Sequence, residues 1–214
     1  MITVKTFVVN QLQENCYVVS DETGEAVIID CGAYYAAERQ AVANYIRDNK
    51  LTLLHLLCTH GHFDHLYGID TIFQEFGLRP EVHAADRDLV DGLTQQYHDL
   101  LGLTYPYPTV ESGRLIADGD DIVFGTHKLH AIHTPGHSPG GMVFYCEEEH
   151  VAFSGDTLFR MSIGRTDLPG GSWQQLMQSL RHLAATLPPD TKIYAGHGPE
   201  TTMVDEIRYN PYMK

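Results

Sequence analysis

The 214-residue sequence holds only four cysteines, Cys16, Cys31, Cys58 and Cys146, and none of them forms a C-x-x-C pair. That pattern excludes a disulfide framework and a thiolate zinc knot, and predicts four reduced, buried thiols. Basic residues are scarce: 14 Lys and Arg stand against 28 Asp and Glu, a net charge of -14. Nucleic acid and anionic membranes require a basic footprint, so neither is an expected partner. No apolar run approaches the roughly 20 residues of a bilayer span. Residues 1–19 also lack the charged, apolar and small-residue regions of a secretory signal, so a cytoplasmic location is expected. No linker, low-complexity tract or fixed-period repeat divides the chain, and a single domain over residues 1–214 is expected. The sequence does not specify an oligomeric state.

What remains is an ordinary globular composition, 43% hydrophobic and 20% charged, with 13 histidines. The first third reads as a β-meander: strands at Val4–Val9, Tyr17–Val19 and Ala26–Ile29, the last ending at Asp30. A helix is predicted over 35–48. A buried strand over Leu51–Cys58 then runs into Thr59-His60-Gly61-His62. From Leu66 the spacing of Leu66, Ile69, Ile72, Phe73 and Phe76 predicts one face of a helix ended by Gly77. A short strand at Glu81–Ala84, a helix over 86–101 and a loop from Gly102 to Gly113 follow. Hairpins are predicted across Gly125-Thr126 and Glu147-Glu148-Glu149. Ser172 is a candidate cap for a helix over 172–187 with Trp173, Leu176, Met177, Leu180, Leu183 and Leu187 in its apolar stripe. A strand over Lys192–Ala195 and a helix over 200–208 complete the chain. Two sheets with helices outside them satisfy this order.

The chemistry concentrates in Thr59-His60-Gly61-His62-Phe63-Asp64-His65, where four metal-ligating side chains fall within six positions between a buried strand and a helix. In an extended turn His60 and His62 can converge on one ion, while Asp64 and His65 face a second about 3.5–4 Å away. Three more candidates lie downstream, each beside glycine: His137 in Thr134-Pro135-Gly136-His137, Asp156 in Ser154-Gly155-Asp156, and His197 in Ala195-Gly196-His197-Gly198. The donor set is nitrogen and oxygen only, which suits Zn²⁺, Fe or Mn²⁺.

This ordered set resembles the metallo-β-lactamase fold family over almost the whole chain. The resemblance implies a four-layer αββα sandwich with two divalent metal ions, zinc foremost, along one edge. It implies His60, His62 and His137 on the first metal, Asp64, His65 and His197 on the second, Asp156 bridging them, and Asp30 beneath. Asp156 stands where many true lactamases carry cysteine, and His62 where flavodiiron oxygen reductases carry glutamate. The stretches Ser154–Phe159 and Ile163–Asp167 are similar to glyoxalase II and its single-domain relatives, which hydrolyse glutathione thioesters, chiefly S-D-lactoylglutathione. Only 17 residues follow His197, so the glutathione-holding C-terminal helical domain of glyoxalase II is not expected. Arg165 matches a basic residue near the glutathione glycine carboxylate, but Asp167 replaces a tyrosine contact. Arg165 is therefore either an anion anchor in substrate binding or a surface cation paired with Asp167.

The expected activity is hydrolysis of a small-molecule thioester by a hydroxide held between the metals and oriented by Asp64, the candidate catalytic carboxylate. Thr59 and Asp30 are candidates to orient the imidazoles, whereas Cys58 and His133 read as structural. Two rivals remain: a persulfide dioxygenase of the same fold with one iron on the first ligand set, and a non-catalytic metal-binding module.

Overall fold

Unbroken apolar runs in central strands require cover on both faces of a sheet, and the computed structural model, which describes residues 1–214, provides it. Strands β1 (Thr3–Val9), β2 (Glu14–Ser20) and β3 (Glu25–Ile29) form an antiparallel meander. Helix α1 (Ala36–Asp48) crosses to β4 (Thr52–Leu57), parallel to β3. Helix α2 (Ile69–Phe76) leads to β5 (Pro80–His83). Helices α3 (Arg87–Asp91) and α4 (Leu93–Leu101) precede β6 (Leu115–Ile116), which completes a six-stranded sheet in chain order.

The second sheet contains β7 (Asp121–Phe124), β8 (His127–His133), β9 (Met142–Cys146) and β10 (Val151–Gly155), successively antiparallel. A small hairpin, β11 (Leu158–Phe159) and β12 (Ser162–Ile163), precedes α5 (Trp173–Thr186). Strand β13 (Lys192–Ala195) lies parallel to β10, and β14 (Thr201–Thr202) closes the edge before α6 (Met203–Tyr209). The spatial order is β14-β13-β10-β9-β8-β7.

Side-chain alternation distributes these strands over three apolar layers. Tyr17, Val19, Val27 and Ile29 of the first sheet meet Leu129, Met142, Phe144 and Phe153 of the second. Cys16, Val18 and Ile28 point the other way, toward Val42 and Ile46 of α1 and Ile69 and Ile72 of α2. Val143, Tyr145, Ala152 and Ile193 pack outward against Leu176, Leu180 and Leu183 of α5. The result is the expected αββα sandwich. All four cysteines are buried and unpaired, and no helix is long and apolar enough to cross a membrane.

Several boundaries differ from the sequence expectation. The helix predicted from Leu66 begins at Ile69, because residues 63–65 form a 3₁₀ turn and the Gly68 N–H is drawn to the Cys31 carbonyl at 2.7 Å. The segment over 86–101 breaks at Gly92, which ends α3 and starts α4. Ser172 does cap α5, accepting from the Gln175 N–H at 3.3 Å. Trp173, however, does not join the apolar stripe. It is 53% exposed and packs edge-on against Tyr212, and the buried stripe starts one turn later at Leu176.

The central layer joins the two sheets through fully buried aromatic rings. Phe144→Ala, which empties a fully buried ring site between the sheets, should cost about 3–5 kcal/mol in urea unfolding. Val123→Thr at a 59% exposed position of the same sheet should stay within about 0.5 kcal/mol.

Candidate metal centre

Strands β3 and β4 are parallel, as are β10 and β13. Strand β8 shares the direction of β10, because both are antiparallel to β9. The loops that leave β3, β4, β8, β10 and β13 meet at one edge. They are tied across the sheets by the Met142 N–H to the Thr59 carbonyl at 2.7 Å, and the Asn15 N–H to the Gly196 carbonyl at 2.8 Å.

All seven candidate ligands converge there. Ligand atoms of His60, His62 and His137 lie within 4.8 Å of one another, as do those of Asp64, His65 and His197. Within the first set His62 Nδ1 stands 2.8 Å from His137 Nε2. Asp156 connects the sets: its Oδ1 is 3.4 Å from His65 Nε2, and its Oδ2 is 3.5 Å from His137 Nε2 and 3.7 Å from His197 Nε2. Asp64 Oδ2 lies 3.3 Å from His197 Nε2 and 3.7 Å from His65 Nε2. Gly196 passes so close that a Cβ there would strike Asp156 Oδ1 and His65 Cε1.

The outer nitrogens of four imidazoles are engaged, which fixes the inner lone pairs toward the centre. His65 Nδ1–H donates to Asp30 Oδ2 at 2.9 Å. His137 Nδ1–H donates to the Arg165 carbonyl at 2.7 Å, and His197 Nδ1–H to the Leu12 carbonyl at 3.0 Å. His60 Nδ1–H donates to Thr59 Oγ1 at 3.0 Å, and that hydroxyl donates to Asp30 Oδ2 at 2.7 Å. Three inward atoms, His60 Nε2, His65 Nε2 and Asp156 Oδ1, are buried without a hydrogen-bond partner. Buried polar atoms seldom remain unsatisfied, and an all-nitrogen-and-oxygen donor set with its lone pairs aimed inward fits divalent metal ions. Asp30, His60 and His65 also fall within 4.8 Å, but Asp30 is already engaged by Thr59 and His65 and serves as their support.

The electrostatics divide the histidines. Burial, reinforced by neighbouring imidazoles, pushes His60 well below the usual histidine range, and burial beside His137 brings His62 down to about 4. Burial also opposes charge on His65 and His197, yet the nearby carboxylates of Asp156 and Asp64 outweigh it and raise both. Asp64 and Asp156 resist the cost of burial through the same contacts with His65 and are held below the usual carboxylate range.

The family model of the metallo-β-lactamase superfamily matches residues 9–197. The chain belongs to this superfamily. At that level it is a metallo-hydrolase, and its His/Asp clusters are of the kind that take divalent metals. Hydroxyacylglutathione hydrolase GloC of Haemophilus influenzae is 33% identical, covering 99% of this chain and 98% of its own length. The crystal structure of TTHA1623 in a di-iron-bound form matches with a TM-score of 0.85 at 36% identity over 98% of this chain and 100% of that one. The BLEG-1 B3 metallo-β-lactamase matches with a TM-score of 0.87 at 33% identity over 99% and 100%.

A cavity of about 430 Å³ opens over the centre, bounded by Leu12, Phe63, Leu100, Leu101 and Leu168 together with His62, Asp64, His137, Asp156 and His197. A larger groove of about 640 Å³ lies elsewhere, around Lys192, Glu200 and Tyr209, and contains none of them. Arg165 reaches the cavity, but its guanidinium is 61% exposed and forms a two-pronged pair with Asp167 at 2.6 Å on each prong. The surface-pair alternative thus describes its geometry. Sequence reasoning missed Asn10, whose amide donates to the carbonyls of Gly32 and Asp64 at 2.9 Å each, and Glu14, which accepts from the Gly32 N–H at 3.1 Å. The only sequence signal for them was their place in the polar NQLQEN segment between β1 and β2.

Because His65 and His197 hold their protons more tightly than ordinary histidines, a metal must displace protons to bind them. Affinity for Zn²⁺, followed by competition with a chelating dye, should rise as pH increases from 6 to 8, with net proton release in calorimetry. Affinity that is flat over this range would contradict the raised proton affinity of these two residues.

Proposed function

We propose that the protein hydrolyses a small-molecule thioester, specifically a glutathione thioester such as S-D-lactoylglutathione, at a binuclear centre. In this reading His60, His62 and His137 would hold one metal, Asp64, His65 and His197 would hold the other, and Asp156, which lies between the two sets, would serve both. The observation that carries it is the pair of three-donor sets joined by the two oxygens of one aspartate. The likeness to GloC and to a di-iron protein supports the substrate class and the metal number. Zinc, iron and manganese all suit the donors.

Bound in these positions, the metals would acidify an attacking water and polarise the thioester carbonyl. The chain's own contribution is orientation and exclusion of water. Asp64, buried beside both His65 and His197, would accept a hydrogen bond from the attacking water and aim it at the carbonyl carbon. The C–S bond breaks with its electron pair on sulfur, and a thiolate is stable enough to leave without a proton donor beside it. Leu12, Leu100, Leu101 and Leu168 form the apolar wall against which the acyl and carrier groups lie. Arg165 would meet a substrate carboxylate only by exchanging Asp167 for it.

A kinetic panel on metal-reconstituted protein tests this: S-D-lactoylglutathione, other thioesters, a lactone, a β-lactam and glutathione persulfide. Thioesters should dominate. His60→Ala and Asp64→Ala should each lower kcat/KM by more than about a hundredfold, beyond the effect of losing an outer hydrogen-bond partner; unchanged rates would sink the assignment. One iron per chain with oxygen uptake on the persulfide would replace it with a dioxygenase, and metal uptake without turnover would leave a binding module.

The Arg165–Asp167 pair gives a second prediction. Exposed pairs are worth about 0–1 kcal/mol, so Asp167→Asn should free the guanidinium and lower KM for S-D-lactoylglutathione by up to about fivefold without changing kcat. Arg165→Ala should raise KM. If KM is unmoved in both variants, Arg165 takes no part in binding.

A further inference from the structure

Asp86 is fully buried just before α3, outside the ligand set, and neither of its carboxylate oxygens is free. Oδ2 accepts from the Gly61 N–H at 2.9 Å, and Oδ1 accepts from the Gly140 N–H at 2.5 Å. Gly61 is the link between His60 and His62, and Gly140 lies three residues beyond His137. One carboxylate therefore ties together the two loops that carry the three-histidine half of the centre. On its other side Gly61 is held again: Gln96 Nε2 of α4 donates to the Gly61 carbonyl at 2.8 Å and to the Leu89 carbonyl at 2.7 Å. The fit is close enough that a Cβ on Gly61 would meet Leu89 and Asp86. The other half is positioned by different groups: Asp30 supports His65, the Leu12 carbonyl supports His197, and Asn10 holds the backbone of Asp64.

From this division we infer that Asp86, assisted by Gln96, is a positioning residue dedicated to the His60–His62–His137 half. The inference rests on the metal reading of that half and goes beyond it by assigning control of one position to residues that touch no metal. Hydrogen bonds from two backbone N–H groups to a buried carboxylate are charge-assisted and strong. Both must be made together for the His62 and His137 nitrogens to stand 2.8 Å apart. An asparagine in place of Asp86 would present an acceptor to one loop and an N–H₂ to the other, releasing one of them. Asp30 also reaches His60 through the Thr59 hydroxyl, but none of the supports of Asp64, His65 and His197 shares a hydrogen bond with Asp86.

Cobalt binding to the whole protein tests this without reference to turnover. Co²⁺ is titrated while the visible bands are recorded; the band lost in His62→Ala marks the three-histidine position, and the band lost in His197→Ala marks the other. Asp86→Asn should weaken the first position by about 10–100-fold, as outer hydrogen-bond partners do, and change the second less than about threefold on the same scale. Gln96→Ala removes the grip from the opposite side of Gly61 with a half-buried side chain. It should act in the same direction by a smaller factor, and it decides the matter if Asp86→Asn does not fold. Glu206→Gln is the control. Glu206 is equally buried and braces Thr201 and Met161 away from the centre, so it should lower Tm and leave both bands unchanged. Equal weakening of both positions, or no weakening of either, would overturn the inference. Absence of cobalt uptake by the unaltered protein would overturn the underlying metal reading instead.

Discussion

The site depends first on the carboxylate of Asp30. It sits at the end of β3, 1% exposed, and accepts from the Thr59 N–H and hydroxyl at 2.7 Å each and from His65 Nδ1 at 2.9 Å. Its backbone has φ of 50°, in the left-handed region that a residue with a Cβ seldom adopts. Such a conformation costs of order 1–3 kcal/mol. Hydrogen bonds to a charged group, worth about 1.5–3 kcal/mol each, offset it. Without these bonds Thr59 would lose its tie to the end of β3, His65 would lose the acceptor that turns its lone pair inward, and the Thr59 hydroxyl that supports His60 would lose its own anchor.

The sandwich then extends this local order across two sheets. Ligands of residues 60–65 come from the first sheet, whereas His137, Asp156 and His197 come from the second. The seam between them is closed close to the site by Tyr17, whose hydroxyl donates to the Ala195 carbonyl at 2.6 Å, and by Asn15, whose amide reaches the same carbonyl at 3.0 Å. The candidate ligands stand one to eight residues beyond strand ends, so their backbone inherits rigidity from the core. Loops supply the chemistry, and the strand ends limit how far those loops can move.

This explains what could be read from the sequence. Candidate ligands are recognised by type and spacing, so the convergence of the His60–His65 run, His137, Asp156 and His197 was legible. The two-sided burial of β3 was also legible, because Ala26–Ile29 is a continuous apolar run, whereas the similar run in β4 is buried only at its end. The supports of the ligands were not. The carbonyls of Leu12 and Arg165 carry no side-chain signature, and Asn10, Glu14 and Asp86 are polar residues whose partners lie 18 to 54 positions away. Helical spacing likewise could not tell that Trp173 would face Tyr212 rather than the core. That choice depends on where α5 is anchored, and the Ser172 N–H is fixed to the Gly136 carbonyl at 2.7 Å. Arg165 was ambiguous for a related reason: a cation two residues before an acid can serve a substrate or its neighbour, and only geometry distinguishes them.

The electrostatic balance connects stability with chemistry. Asp30 and Asp64 are buried, and Asp156 largely so, close together in a protein of net charge -14, an arrangement that is costly unless positive charge is brought in. Protons on His65 and His197 supply part of it, while His60 and His62, neutral from burial, leave lone pairs for a Lewis acid. Divalent cations would replace those protons with a larger charge at the same place. They would also bridge ligands from both sheets, so binding energy would appear as folding energy by mass action. Acidic residues that would otherwise weaken the edge of the sandwich would thereby become a cross-link between its sheets, and the edge proposed to perform the chemistry would also be the one whose stability depends on the metal.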